Sequence, residues 1–201
     1  MTAGLVILTG ERNVGKTTVC RKTVALAQAR GYVCGGILTL SHADDVRDVL
    51  DVRSGCTRRL TVEPDGAGTP DADSAVVQGR FRFDPKAMTW GNDALARATA
   101  CHLLVVDELG PLEIERGQGW QKAFDVLRGN DFTLAIVVVR PELLEQAQRR
   151  LPTASTTILA VNARNRDGLP DLLLEILSKF QDPKRLLVQA TQPLLQHPQR
   201  Q

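Results

Sequence analysis

Short, wholly apolar runs recur along the chain, most of them separated by stretches with helical periodicity. Leu5–Leu8 is the first, ended by Thr9-Gly10, and reads as a strand buried on both faces. After a glycine-rich turn, Lys16 to Arg30 predicts a helix with Val19, Val24, Leu26 and Ala27 on its inner side, stopped by Gly31. Tyr32–Leu40 is the next strand, and Gly35-Gly36 within it marks a close backbone approach. His102–Val106, Phe132–Val139 and Thr156–Val161 predict further parallel strands. Helices are expected at Asp84–Ala100, with Asp84 as N-cap and Pro85 at the first position, and at Trp120–Leu127, Pro141–Leu151 and Asp167–Phe180.

This alternation predicts an α/β fold, a mostly parallel sheet flanked by helices on both faces. The stretch from Ser41 to Phe83 breaks the rhythm. Val46–Val52 and Ala75–Phe83 read as strands, with Val77, Phe81 and Phe83 on one face, and Pro64–Pro70 between them is turn and loop chemistry. Residues 41–83 are therefore expected to be a β-rich insertion after the second core strand. The expected organisation is a single domain over 1–180 and a C-terminal tail over 181–201.

Composition narrows the partners without naming one. A chain of 201 residues with 43% hydrophobic and 24% charged positions suits one globular α/β domain. A net charge of +2 gives no indication of nucleic acid or an acidic membrane surface, and no protein partner is identified. No apolar window approaches a membrane span. Cys20, Cys34, Cys56 and Cys101 are too scattered for a zinc site. The expectation is a soluble, cytoplasmic protein.

The chemistry starts at the first turn. Gly10-Glu11-Arg12-Asn13-Val14-Gly15-Lys16-Thr17 fits G-x₄-G-K-[ST] in full, between a predicted strand and a predicted helix. Backbone N–H groups curled into a nest can donate to several triphosphate oxygens at once, and a helix N-terminus adds free donors and a favourable dipole. Lys16 supplies charge between the β- and γ-phosphates, Thr17 offers its hydroxyl to Mg²⁺, and Thr18 donates to the α-phosphate. Asn13 suits a left-handed turn. The segment predicts a P-loop that binds nucleoside triphosphates with Mg²⁺.

Leu103–Val106 delivers Asp107 and Glu108 at the C-terminal end of a buried strand, the edge where open parallel sheets bind ligands. Asp107 fits a metal role, and Glu108 fits a general base orienting water for in-line attack. Glu113 suits either a supporting or a structural carboxylate. Arg140 ends the strand Phe132–Val139 and suits stabilisation of the γ-phosphate, with an exposed helix-start arginine as the alternative. Asn165 and Arg166 follow the last strand, where Asn and Arg can recognise base or ribose, or simply belong to a capping loop.

Together these residues resemble the small P-loop nucleoside-triphosphatases of the THEP type, also called cancer-related nucleoside-triphosphatases. The likeness rests on Val14-Gly15-Lys16-Thr17-Thr18, Gly35-Gly36, Phe83-Asp84-Pro85, Asp107-Glu108-Leu109-Gly110-Pro111-Leu112-Glu113 and Asn165-Arg166-Asp167. The resemblance implies a RecA-like sheet, a water-activating glutamate beside the metal aspartate, and slow hydrolysis of ATP, GTP and other NTPs to the diphosphate and phosphate. Two departures stand out: Arg12-Asn13 where the family usually has Pro-Gly, and Ser41–Arg59, which lacks the family's glycine- and arginine-rich pattern. The residues themselves leave open a kinase for a nucleoside, nucleotide or RNA end, with the insertion and Arg140, Arg164 and Arg166 as acceptor-binding groups; Arg47, Arg53, Arg58 and Arg59 lie scattered in the insertion where a kinase lid usually presents an arginine cluster. They also leave open a nucleotide-gated binding module.

Overall fold

The structure, a computed structural model, describes residues 3–62, 75–152 and 156–181. The loop expected at Pro64–Pro70 and the tail from residue 182 lie outside them. The strands are β1 (Gly4–Thr9), β2 (Cys34–Ser41), β3 (Arg47–Asp51), β4 (Thr57–Arg59), β5 (Val76–Gln78), β6 (Phe81–Phe83), β7 (Cys101–Leu109), β8 (Phe132–Val139) and β9 (Thr156–Ala160). The helices are α1 (Lys16–Ala29), α2 (Pro85–Ala96), α3 (Pro111–Ile114), α4 (Lys122–Gly129), α5 (Leu144–Arg150) and α6 (Leu169–Gln181).

The main sheet runs β4-β3-β2-β7-β8-β1-β9. Its core strands β2, β7, β8, β1 and β9 pair in parallel, and β3 and β4 extend it antiparallel from the edge of β2. One strand, β8, separates β1 from β7, which is the RecA-like order. Side chains of a strand alternate between faces. Leu5 and Ile7 therefore join Leu95, Phe124 and Leu127 beneath α2 and α4, while Val6 and Leu8 join Val19, Leu173 and Leu177 beneath α1 and α6. Burial on both faces explains why these strands read as continuous apolar runs.

Several boundaries differ from expectation for local reasons. Ala75–Phe83 is not one strand but a hairpin, because Gly79 takes a left-handed φ of 57° and turns the chain. Val76 lies opposite Phe83 and Gln78 opposite Phe81, so those four share a face; Val77 points the other way and is 47% exposed. The helix begun by Asp84, whose side chain accepts from the Lys86 amide, ends at Ala96 and not at Ala100. Beyond it, the Arg53 guanidinium holds the carbonyls of Ala98, Thr99 and Ala100. Pro141–Leu143 forms a 3₁₀ turn before α5, and Pro111–Ile114 forms a one-turn helix after β7.

The Gly35-Gly36 pair does mark close packing. A Cβ at Gly36, where φ is 106°, would stand 1.9 Å from the Val105 carbonyl oxygen of the neighbouring strand. Gly36→Ala is expected to destabilise the protein by about 3 kcal/mol or more through clash and backbone strain. Gly31 also has a positive φ but nothing within 4 Å, so Gly31→Ala should lose only about 1 kcal/mol. Urea denaturation of both variants checks the contrast.

Candidate active site

The phosphate loop and the carboxylate pair meet at the C-terminal edge of the sheet. Asn13 takes the expected left-handed conformation at φ 60°, and Gly15 ends the loop at φ 106° as the residue before α1. No side chain caps α1 and its first turn carries no acidic residue. The first-turn amides, those of Lys16, Thr17 and Thr18 among them, thus remain donors for an anion. Gly10 is required by proximity, since a Cβ there would lie 2.5 Å from the Val161 carbonyl oxygen. The Lys16 ammonium is buried and donates to the carbonyls of Gly10 at 2.6 Å and Glu11 at 2.8 Å. Burial lowers its pKa from the ordinary lysine value, and Glu108 and Asp107 oppose that shift.

Asp107 is 2% exposed, and its Oδ2 has no hydrogen-bond partner. Burial raises its carboxyl to about 7; Thr17 and Lys16 favour the charged form, and Glu108 opposes it. Its backbone carbonyl accepts from the Thr39 hydroxyl at 2.7 Å, tying β7 to β2. The peptide between Asp107 and Glu108 is cis. A buried, partnerless carboxylate oxygen beside a threonine hydroxyl is the hard-oxygen donor set that Mg²⁺ takes.

Glu108 is held from the next strand. Arg140 Nε and Nη2 both donate to Glu108 Oε1, at 2.8 and 2.5 Å. The arginine is 16% exposed, so it faces the same edge and is not a solvated helix start. Glu113 resolves as a structural carboxylate: its oxygens accept from the Gly110 amide at 2.8 Å and the Trp120 amide at 3.0 Å, fixing the turn after β7.

The segment after β9 divides. Arg166 reaches the loop, with Nη1 3.5 Å from the Val14 carbonyl and Cδ 3.4 Å from where a Gly15 side chain would begin. Together with Gly15, Thr18, Val19 and Asp167 it lines a cleft of about 260 Å³. Asn165 does not join it: its amide is committed to the Ala160 carbonyl and the Asn162 amide. Glu11, Arg12 and Asn13 lie on the exposed side of the loop. Arg47, Arg53, Arg58 and Arg59 do not cluster. Arg53 holds carbonyls beyond α2, Arg59 pairs with Asp48, Arg58 is exposed, and Arg47 alone turns towards Glu108.

Three residues near the site carry little sequence signal. Thr39 and Glu142 are ordinary strand-end and helix-start residues, and Glu142 acts on Lys16 only through the fold. Gln78 comes from the β5–β6 hairpin, and its Nε2 lies 3.7 Å from where a Gly110 side chain would begin, beside Glu108 Oε1 at 3.6 Å.

Comparison with known proteins points to one kind of fold and activity. A sequence profile described as NTPase matches residues 5–174. Nucleoside-triphosphatase THEP1 of Methanosarcina barkeri is 27% identical over 183 residues, covering 88% of this chain and 97% of that protein. The protein of the same name from Methanopyrus kandleri is 28% identical, covering 85% and 93%. The solution structure of a human cancer-related nucleoside triphosphatase shares the fold, with a TM-score of 0.62, 22% identity and coverage of 88% and 98%.

The buried Glu113 yields a test of how the turn after β7 is held. Burial pushes its carboxyl up to about 7 from the model-peptide 4.5, while the Trp120 and Gly110 amides pull the other way. An acid that binds its proton more tightly folded than unfolded stabilises most at low pH. Its contribution falls as pH rises from about 4.5 to about 7 and is flat above. Glu113→Gln removes that slope and leaves one buried N–H poorly accepted, a loss of about 1–3 kcal/mol. In urea denaturation, the wild type's advantage over the variant is expected to shrink between about pH 4.5 and about pH 7.

Proposed function

The chain belongs to the THEP-type NTPase family, and on that premise we propose that it hydrolyses nucleoside triphosphates through Lys16, Thr17, Asp107, Glu108 and Arg140. It is a nucleoside-triphosphatase; its use of Mg²⁺ and the role of each residue are our reading. The observation that carries the reading is the convergence of Lys16, Asp107 and Glu108 at one sheet edge, near enough for both carboxylates to act on the lysine.

Loop amides from Gly10 to Thr18 bind the phosphates, and Lys16 leaves its carbonyl partners for the β- and γ-phosphate oxygens. Thr17 and Asp107 would hold Mg²⁺, Asp107 being the residue with a buried carboxylate oxygen that lacks a partner. When bound, Mg²⁺ supplies positive charge at the terminal phosphates. Glu108, oriented by Arg140, takes a proton from a water aimed at the γ-phosphorus. The water oxygen bonds to phosphorus as the bond to the β-phosphate oxygen breaks, releasing diphosphate and phosphate. Arg166 lines the cleft beside the loop and is our candidate for nucleoside contact.

Among the described residues no helix is long and apolar enough to cross a membrane. All four cysteines are free, which supports a reducing, cytoplasmic setting.

Phosphate release from ATP and GTP with Mg²⁺ tests the mechanism. Glu108→Gln is expected to lower turnover by about 10²-fold or more while retaining nucleotide binding. Lys16→Ala should lose binding itself. A Glu108→Gln protein that turns over like the wild type would remove the general base from the scheme.

A further inference from the structure

Among the described residues, the buried side-chain nitrogen and oxygen atoms without a hydrogen-bond partner are Thr9 Oγ1, Arg47 Nε and Asp107 Oδ2. All three belong to one edge of the sheet. Thr9 ends β1, Asp107 lies near the end of β7, and Arg47 opens the antiparallel strand β3. Pairing sets its level: Leu38 of β2 lies opposite Asp107, and Ser41, three residues further on, lies opposite Arg47. Buried polar atoms are nearly always partnered, so a group of exceptions at a ligand-binding edge points to acceptors and donors that a ligand brings.

Arg47 is half-buried, and its guanidinium carbon sits 4.1 Å from the centroid of the Phe81 ring, which stacks on Phe83 at 6.0 Å. A planar cation seated on an aromatic face keeps its donors at the rim, in the ring's plane direction and not across it. Burial lowers its pKa, and of the charges that act on it Glu108 is foremost, followed by Arg140, Asp45 and Asp107. In the sheet only β2 lies between Arg47 on β3 and the carboxylates on β7, at the same end of the strands. Two donors of Arg140, on Nε and Nη2, are already on Glu108 and orient it. Gln78, from the same hairpin as Phe81, approaches the Gly110 turn, its Nε2 3.7 Å from where a Gly110 side chain would begin.

We propose that Arg47 is a further catalytic residue, a guanidinium delivered by the insertion to the γ-phosphoryl group as negative charge spreads over its oxygens in the transition state. The assignment rests on the hydrolytic reading above. Arg140 then orients the base, Lys16 bridges the β- and γ-phosphates, and Arg47 meets the transferring group from the β2–β3 side. Phe81 is the positioning residue that holds Arg47. The departure of 41–59 from the family's glycine- and arginine-rich pattern therefore leaves a working arginine in place.

The test compares Arg47→Ala, Arg47→Lys and Phe81→Leu with Arg59→Ala, whose arginine pairs with Asp48 away from the site. Turnover and KM for ATP, affinity for ADP, and formation of the ADP–Mg²⁺–aluminium fluoride complex are measured for each. Arg47→Ala is expected to lose about 10²-fold in kcat, with KM and ADP affinity within about threefold and the fluoride complex lost. Arg47→Lys recovers little, since an ammonium lacks the planar donor edge. Phe81→Leu, which keeps the charge, falls between and stands in for Arg47→Ala if that variant does not fold. Arg47→Ala or Phe81→Leu with wild-type kcat and an intact fluoride complex overturns the proposal. So does a loss matched by an equal loss of ADP affinity and melting temperature. A wild-type protein that releases no phosphate from any NTP overturns the hydrolytic reading as well.

Discussion

A carboxylate taken out of water at the end of β7 governs the arrangement around it. Asp107 is buried with one oxygen unpartnered, and burial drives its pKa to about 7. Such a group destabilises the folded chain unless positive charge or donors surround it. The fold answers with Thr17 and Lys16 from the opposite side of β8 and with the Thr39 hydroxyl on the neighbouring backbone carbonyl. The lysine is itself buried and folded onto its own loop's carbonyls, a second charge in a place that suits a ligand better than the isolated protein. Polar groups left wanting at one edge are what a nucleotide-binding site presents before its ligand arrives.

The strand order makes this convergence possible. With β8 between β1 and β7, the loop amides and the two carboxylates face each other across one strand's width. β8 then adds Arg140 from its own end, aimed at Glu108. Three successive sheet positions thus supply a loop of free amides, an arginine paired to Glu108, and two adjacent carboxylates. Glu113 secures the turn that follows, so the end of β7 is held from both the sheet and the loop side.

The insertion takes part in this edge as well. β3 and β4 extend the sheet, and the β5–β6 hairpin lays Phe81 under Arg47 and brings Gln78 to the turn at Gly110. An aromatic ring beneath a guanidinium supports a cation in a half-buried place. Arg53 and Arg59 in the same stretch serve packing and pairing instead. Residue type alone could not have separated them.

Local chemistry made the core strands, α1 and the phosphate loop legible from the chain alone, because apolar runs buried on both faces and a Gly-x₄-Gly-Lys-Thr turn are short-range patterns. Asp84 as a cap and Asn13 in a left-handed turn belong to the same class. The hairpin at Val76–Phe83 escaped, since a glycine turn inside a period-two pattern flips which residues share a face. Whether Glu113 was structural, whether Arg140 faced the site, whether Asn165 or Arg166 reached the loop, and which insertion arginine turned inward were decided only by tertiary structure. Each of those questions concerns where a side chain ends up relative to residues far away in sequence. That is set by strand order and pairing register, which no local run of residues encodes.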